Sequence, residues 1–483
     1  MPRRLAPGVP RVVHRTARCG LRVTRGQRRR LFRLLASAGD VWCCVLELNG
    51  WRRRRQDTPL AGYQELCREL AAAGSGTFGE LDSVGARSVL RRFSDAWFAA
   101  AKRRRAGEES ARFPRRKRRF VPVRWYGGTF ELRGRRLRLP VARGCPPLWT
   151  RLDRDLPYPA ERVRSVTLLC VAGRLYVDVT AEIPVVAYPA GQGPDPARVA
   201  GVDLGVIHPY AAAGPDGEML LVSGRAIRAE RYQHLRDVKA RNRAAASRAP
   251  KPEAIPQHGS RRRGSRRWRA HLDRQRAVQA RHVRRMRQSR HKAATEVIRW
   301  ALGERIGVLA VGDPRGVLDV AAGRRHNQRT RDWRVGHLIR ALSDKAQVVG
   351  ITVQLVDERG TSSTCPSCKR RVNKPRGRVF SCPYCEYTGH RDLIAAANIA
   401  ARAGGGNIPL IAAGITHRRA GAYLPGAHPS RRDPRRRHHG MPQVPWPAPA
   451  RPVSICWPDS RSPHGEEHAS LATYAKLTCE QVH

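Results

Sequence analysis

The chain has 483 residues, room for about three domains, and sets 93 Lys and Arg against 39 Asp and Glu for a formal net charge of +54. Self-repulsion of that size disfavours a compact state until a polyanion neutralises it, so nucleic acid is the expected partner, held with an affinity that falls steeply as salt rises. No stretch approaches the ~18 apolar residues of a membrane span, and the basic start MPRRLAPGVPRVVHRTARCG lacks a following apolar run, so the reading excludes a membrane or secreted protein and expects a soluble one in a reducing compartment.

Residues 1–25 read as a basic arm. From 26 to 110 the chain reads as helical, through GQRRRLFRLLASAGDVWCCVLEL, GYQELCRELAAA and SVLRRFSDAWFAAAKRRR. In the last of these Leu90, Phe93, Trp97 and Ala101 recur at helical spacing, while Arg91, Arg92, Arg103, Arg104 and Arg105 stay off that stripe, which predicts a core face and a basic face. The stretch FPRRKRRF at 113–120 places five basic residues between two aromatics and suits a nucleic-acid contact by stacking. Over 111–185 the period changes to two, with FVPVRWYG, TFELRG, RLRLPV, SVTLLCVAG and RLYVDVTAEIPV separated by Gly or Pro, as in a small barrel or sandwich.

At 186–223 an apolar strand carries Asp203 in VAGVDLGVIHPY, and a P-D-G turn after YAAAG predicts a hairpin. An acid inside an apolar strand is costly unless it serves a purpose. Residues 224–303 form the most basic region and read as two long helices split by GSRRRGSRRW, with Trp268 either stacking on a base or anchoring its helix in the core. The segment 304–360 offers a buried strand, IGVLAVGDPRGV, a helix around WRVGHLIRALSDKAQVVG and a second strand, ITVQLVDERG. That order implies a crossover between parallel neighbours.

Cys365, Cys368, Cys382 and Cys385 then supply two C-x-x-C pairs within 361–388. Each pair can wrap one edge of a tetrahedron, and four thiolates leave no open position for water, so a structural Zn²⁺ is expected in preference to disulfides. The other cysteines are scattered and show no second metal spacing. GHRDLIAAANIAARA, at 389–403, predicts a helix with Asp392 near its start. The tail 404–483, with GGG, HPSRRDPRRRHHG and VPWPAPARP, shows no sustained period and is expected to be disordered.

Phosphodiester cleavage by two metal ions needs clustered carboxylates, one ion activating water and the other stabilising the leaving oxygen. Asp203, a middle acid and Asp392 would supply them. This order, with a basic helical insertion after the first acid and a four-cysteine knuckle before the last, resembles the RuvC nuclease of TnpB, the transposon-encoded RNA-guided endonuclease family related to type V CRISPR effectors. GVDLGV resembles its first motif, HRDLIAAANIA its third, and TSSTCPSC its entry to the knuckle; the likeness covers most of residues 20–403.

The resemblance implies a mixed α/β fold: a split RNase H-like (RuvC) domain made of 186–223, 304–360 and 389–403, the knuckle at 361–388, a helical recognition lobe at 26–110 and a small β-barrel wedge domain at 111–185. It implies a guide RNA from the transposon end, a target DNA duplex, catalytic Mg²⁺ and a partner transposase that performs strand transfer. It also implies a place in a prokaryotic cytoplasm, at the nucleoid. Base pairing would then read sequence while a basic channel holds the heteroduplex by its backbone.

One departure matters. Where the family's second motif ends its strand in a catalytic Glu, this chain has Gly312 followed by Asp313. Three readings compete: Glu358 replaces the acid across neighbouring strand ends ~4.8 Å apart; Asp313 serves instead, although the following Pro restricts its backbone; or the acid is lost. The reading adopted is Asp203, Glu358 and Asp392 as catalytic Mg²⁺ ligands, because alternation puts Asp357 on the face opposite Glu358. A nuclease-dead RNA-guided DNA-binding regulator and an RNA-binding protein without DNA targeting are the alternatives.

Overall fold

The structure, a computed structural model, describes residues 12–419 apart from 56–58, 75, 116–119, 250–264, 315–322, 324–326, 328–332, 374–376 and 409–414. The N-terminal half is built on a seven-stranded sheet of order β2-β6-β7-β1-β5-β4-β3. Its strands are β1 (Val12–Arg22), β2 (Val123–Tyr126), β3 (Glu131–Arg133), β4 (Arg136–Leu139), β5 (Leu148–Leu152), β6 (Val163–Val171) and β7 (Arg174–Pro184). Three helices pack on it: α1 (Arg25–Arg54), α2 (Tyr63–Ala72) and α3 (Ser83–Arg105).

The helices form where the apolar spacing places them. Thr24 opens α1 with a capping box to Gln27, and Asp82 caps α3 while accepting the Trp125 indole N–H at 2.7 Å. Leu90, Phe93 and Trp97 are buried as the stripe predicts. One core unites Leu31, Leu35 and Phe93 of the helices with Val123, Trp125 and Val177 of the sheet, so the expected recognition and wedge regions share their apolar interior.

One difference from the sequence reading stands out here. Residues 12–22 are not an arm but a strand between β7 and β5, paired with β7 from Val12↔Pro184 to Gly20↔Tyr176. Its alternation is masked because Arg15 falls among the inward positions and Arg18 is spent on a two-pronged hydrogen bond to Asp178. Of FPRRKRRF, Phe113 lies 4.9 Å from Trp97 and the exposed Phe120 4.9 Å from Phe32, while residues 116–119, where the nucleic-acid contact is expected, lie outside the described residues.

The C-terminal half is a six-stranded mixed sheet of order β12-β11-β8-β9-β10-β15. It comprises β8 (Asp195–Asp203), β9 (Tyr210–Ala213), β10 (Met219–Ser223), β11 (Ile306–Asp313), β12 (Thr352–Asp357) and β15 (Ile415–Arg419), and the P-D-G turn joins β9 to β10 as expected. β8, β11 and β12 run parallel. The basic insertion is α4 (Arg225–Ala246) and α5 (Arg266–Gly303), and α6 (Val335–Ala346) links β11 to β12.

The last turns of α5 and all of α6 cover one face through Val297, Trp300, Leu338 and Leu342, while α7 (Arg391–Arg402) covers the other through Leu393, Ala396 and Ala400. The mixed α/β layering is the one the RNase H-like resemblance implies. Residues 415–419 correct the expectation of a disordered tail, since they pair in parallel with β10 from Met219↔Ile415 to Ser223↔Arg419. Backbone groups on an open strand edge are satisfied by any extended segment long enough to reach them. Residues 420–483 lie outside the described residues.

α7 packs directly on the backbone of β8 at Gly201. A Cβ on Gly201 would stand 1.8 Å from the Ala396 carbonyl oxygen and 2.7 Å from the Ala400 nitrogen. Both are backbone atoms that cannot swing aside. Gly201→Ala is expected to lift α7 off the sheet at a cost of about 3 kcal/mol, read as a lower melting temperature with weakened amide protection along α7.

Candidate active site and zinc knuckle

Parallel register brings the acids to one end of the sheet. Val202 pairs with Val311, and Gly312 with Val356, so Asp203, Gly312 and the β12 end that leads to Glu358 finish side by side. A Cβ on Gly312 would stand 2.8 Å from Glu358 Oε2 and 3.2 Å from Glu358 Cβ. The Glu358 side chain therefore folds back over the bare strand and shares the space a side chain at 312 would take with Ile399, whose Cδ1 would stand 2.7 Å from that Cβ.

Asp203 sits at the tip of β8. Burial pushes its carboxyl well above the usual range, and repulsion from Asp392 and Glu358 pushes it further, with Arg391 and Arg378 opposing. Three carboxylates thus share one field. Asp313 follows Gly312 along the strand, and alternation turns it to the opposite face. Asp357 is exposed, and its Oδ1 accepts the Arg359 backbone N–H at 3.1 Å.

Asp392 lies in the first turn of α7, where the helix N-terminus favours negative charge. It is 5% exposed. Burial pushes its carboxyl up, but His208 Nδ1 at 3.0 Å from Oδ2 and Arg378 Nη1 at 2.5 Å from both oxygens outweigh that and bring it down to about 2. His208 reaches it from a tight turn in which Gly205 N–H donates to the His208 carbonyl at 2.9 Å, and a Cβ at 205 would stand 2.7 Å from that oxygen. His390 completes a cluster with His208 and Asp392 whose ligand atoms lie within 4.8 Å of one another.

A second tie holds the Glu358 loop to the same helix. Asn398 is buried on α7, and its Nδ2 donates to the carbonyls of Thr361 and Thr364 at 2.8 Å each, while Thr361 N–H and Oγ1 both donate to the Glu358 carbonyl. Sequence reasoning placed Asp203, Glu358 and Asp392 as candidates but missed His208, Arg378, His390 and Asn398. The signal was thin. His208 and Asn398 lie inside the quoted motifs, yet neither carries a spacing that reveals its partner.

The four cysteines converge. Cys365 and Cys385 have Sγ atoms 3.6 Å apart, as do Cys368 and Cys382, and all four lie within 4.8 Å of one another. A tetrahedron with Zn–S bonds of ~2.3 Å has S···S edges of about 3.8 Å, whereas a disulfide needs ~2.05 Å. The donor set thus fits one structural Zn²⁺ and excludes disulfide pairing. β13 (Val379–Ser381) and β14 (Thr388–His390) form the hairpin whose turn carries Cys382 and Cys385, with Phe380 buried against Cys365, Cys382 and Ile394 of α7. Arg378 stands at the foot of this hairpin, where its carbonyl accepts the Arg391 N–H at 2.8 Å.

Basic clefts lie in the N-terminal half. Arg22, Arg135, Arg136 and Arg151 surround Trp149 in a cleft of about 610 Å³, with Arg136 5.1 Å above the indole. Arg25, Arg28, Arg29 and Arg33 gather around Phe32 on α1. Trp268 is half-buried in the first turn of α5, where its backbone N–H is capped by Ser265.

A mixed α/β domain whose last helix is reached through a four-cysteine knuckle has known counterparts. Residues 336–399, from α6 through the knuckle to α7, match the family model of the Cas12f1-like TNB domain. A solved Cas12f1–sgRNA–target DNA complex is similar over 78% of this chain and 83% of that chain, at 14% identity and a TM-score of 0.53. CasPhi-2 (Cas12j) bound to crRNA and phosphorothioate DNA aligns over 83% of this chain and 92% of that chain, at 12% identity and a TM-score of 0.44. No curated protein matches the chain in sequence. The chain is thus similar to the Cas12f1-like TNB domain over residues 336–399 and, in fold, to a Cas12f1 effector.

Two outcomes test this geometry. Stripping zinc with a strong chelator should release one ion per chain and expose the amides of β13 and β14 to hydrogen exchange, because Phe380 then loses the cage that buries it. His208→Ala should weaken divalent-ion binding about 10- to 100-fold, the usual effect of losing a group that orients a ligand, with little change in melting temperature; isothermal titration with Mn²⁺ reads it.

Proposed function

We propose that the chain is an RNA-guided DNA endonuclease in which Asp203, Glu358 and Asp392 form a RuvC-like site for Mg²⁺. The observation that carries this reading is the fit of Glu358 over Gly312. A chain that had simply lost the acid of its second motif would have no reason to place another carboxylate in the vacated space, beside two acids it repels. The donors are hard oxygens of the kind the ion takes, and the Asp203 carboxyl is pushed up first by burial and then by repulsion from Asp392 and Glu358.

When bound, Mg²⁺ would activate the attacking water and stabilise the leaving oxygen of the phosphodiester. The residues of the chain do the rest. His208 and Asn398 orient the carboxylate of Asp392 and the loop of Glu358, and Arg378 holds Asp392 ionised. The arginine clefts around Trp149 and Phe32 suit backbone contacts to a guide RNA and a target duplex, because guanidinium forks match phosphate and aromatic faces accept bases. Guide RNA from a transposon end, a partner transposase and action at a prokaryotic nucleoid complete the reading, on the strength of the TnpB likeness.

The test is cleavage of a plasmid library carrying a guide-matched target beside randomised flanks, by protein purified with RNA from its own locus and supplied with Mg²⁺. Guide-dependent cuts that vanish with Asp203→Ala support the proposal; guide-dependent binding without cuts would leave a DNA-binding regulator. Glu358→Gln is expected to slow cutting by more than about 100-fold, beyond what the loss of an orienting group costs, while target binding persists.

A further inference from the structure

On the α6 side of the six-stranded sheet, across it from α7, the helices α4, α5 and α6 enclose a cavity of about 560 Å³. Its walls divide by chemistry. Leu235 and Val238 on α4, Val283 and Met286 on α5 and Ala341 on α6 are apolar. Next to them the imidazoles of His234 and His282 stack with ring centres 3.7 Å apart and planes 3° from parallel. Arg287 of α5, Arg334 just before α6 and Arg340 of α6 line the cavity as well, all three exposed, and Asp344 is the one acid among its described lining residues.

This combination is not what a solvated basic face looks like. Helices carrying such charge with no ligand to bind would splay, or fill the gap between them with aliphatic side chains. Instead the space is kept open, flat π surfaces are held in it, and guanidinium forks stand at its margin. Burial pushes the imidazoles of His282, His291 and His337 below their usual range, so near neutral pH they offer ring faces and nitrogens rather than charge. The permanent charge in the cavity comes from arginine, whose planar fork pairs with phosphate oxygens two at a time.

The volume falls within the usual range for small-ligand sites and leaves no room for paired strands. We propose that this cavity binds a single nucleotide, with its phosphate on Arg287, Arg334 and Arg340 and its base against the His234–His282 stack and the neighbouring apolar wall. Histidine is among the side chains on which unpaired bases stack. The nucleotide is either free or the unpaired 5′ end of an RNA strand; both present the same phosphate and base. The site shares no residue with the acid cluster, so it stands or falls separately from the nuclease reading.

The test uses the full chain freed of nucleic acid, at a salt concentration high enough to suppress nonspecific polyanion binding. Isothermal titration with each of the four ribonucleoside 5′-monophosphates should show saturable binding of at least one, at one site per chain. Inorganic phosphate alone and the matching nucleoside alone should each bind at least about tenfold more weakly, as should the monophosphate to an Arg287→Gln, Arg340→Gln double variant and to His234→Ala. Arg299→Gln, at an exposed position outside the cavity, should leave affinity unchanged, and matching melting temperatures show that the variants fold. A 5′-phosphorylated tetranucleotide RNA that displaces the monophosphate where its 5′-hydroxyl counterpart does not identifies a strand end as the source; failure of both to displace it identifies a free nucleotide. Absence of saturable binding by all four monophosphates, or binding that both cavity variants leave intact, overturns the proposal.

Discussion

The contact between helix α7 and strand β8 is the constraint on which the acid cluster depends. Gly201 lets the Ala396 carbonyl come where a side chain would otherwise be, and the alanines of IAAANIA give the helix a smooth enough face to use that gap. Asp392 begins the same helix and Asp203 ends the same strand. Their separation is therefore set by backbone packing rather than by attraction, which between two carboxylates is absent. Asn398, near the other end of α7, carries the constraint outward to the Glu358 loop.

A chain with a net charge of +54 would be expected to neutralise any acid pocket with its own arginines. It does so only in part. Arg378 and His208 hold Asp392 ionised, while Asp203 remains under the pressure of two neighbouring carboxylates. That imbalance is what a divalent cation relieves. The guanidinium of Arg378 comes from the zinc hairpin, so the knuckle contributes a charge to the acid cluster as well as a brace for α7. A structural metal and a catalytic one would thus be coupled through a single side chain.

The N-terminal half divides its arginines between two uses. Many pair with acids, as Arg18 does with Asp178, Arg30 with Glu80, Arg52 with Glu65 and Arg164 with Glu182, and others gather around Trp149 and Phe32. Tryptophan and phenylalanine in such places serve two ends: they pack the sheet or helix beneath and present a flat face above. A single core under helices and sheet keeps these clefts in fixed relation, which suits a surface that must grip a long, stiff polyanion.

Local information in the chain was sufficient for the seven described helices, for most strands of the first sheet, for the convergence of the four cysteines and for placing Asp203 on a strand and Asp392 at a helix start, because periodicity, caps and C-x-x-C spacing act over a few residues. Glu358 was legible only with an assumed strand neighbour. The pairing Gly312↔Val356 supplied it. Strands β1, β5 and β15 were not legible: their alternation is short or broken by arginine, and the partners that stabilise them lie far away in sequence, as Val12 and Pro184 do. Arg378, His208 and Asn398 were hidden for the same reason, since a hydrogen bond across 14 or 184 residues leaves no trace in spacing. The sequence by itself determined which residue types were present to bind metal and phosphate; only the tertiary structure, through parallel register and one glycine-wide gap, decided which of them meet.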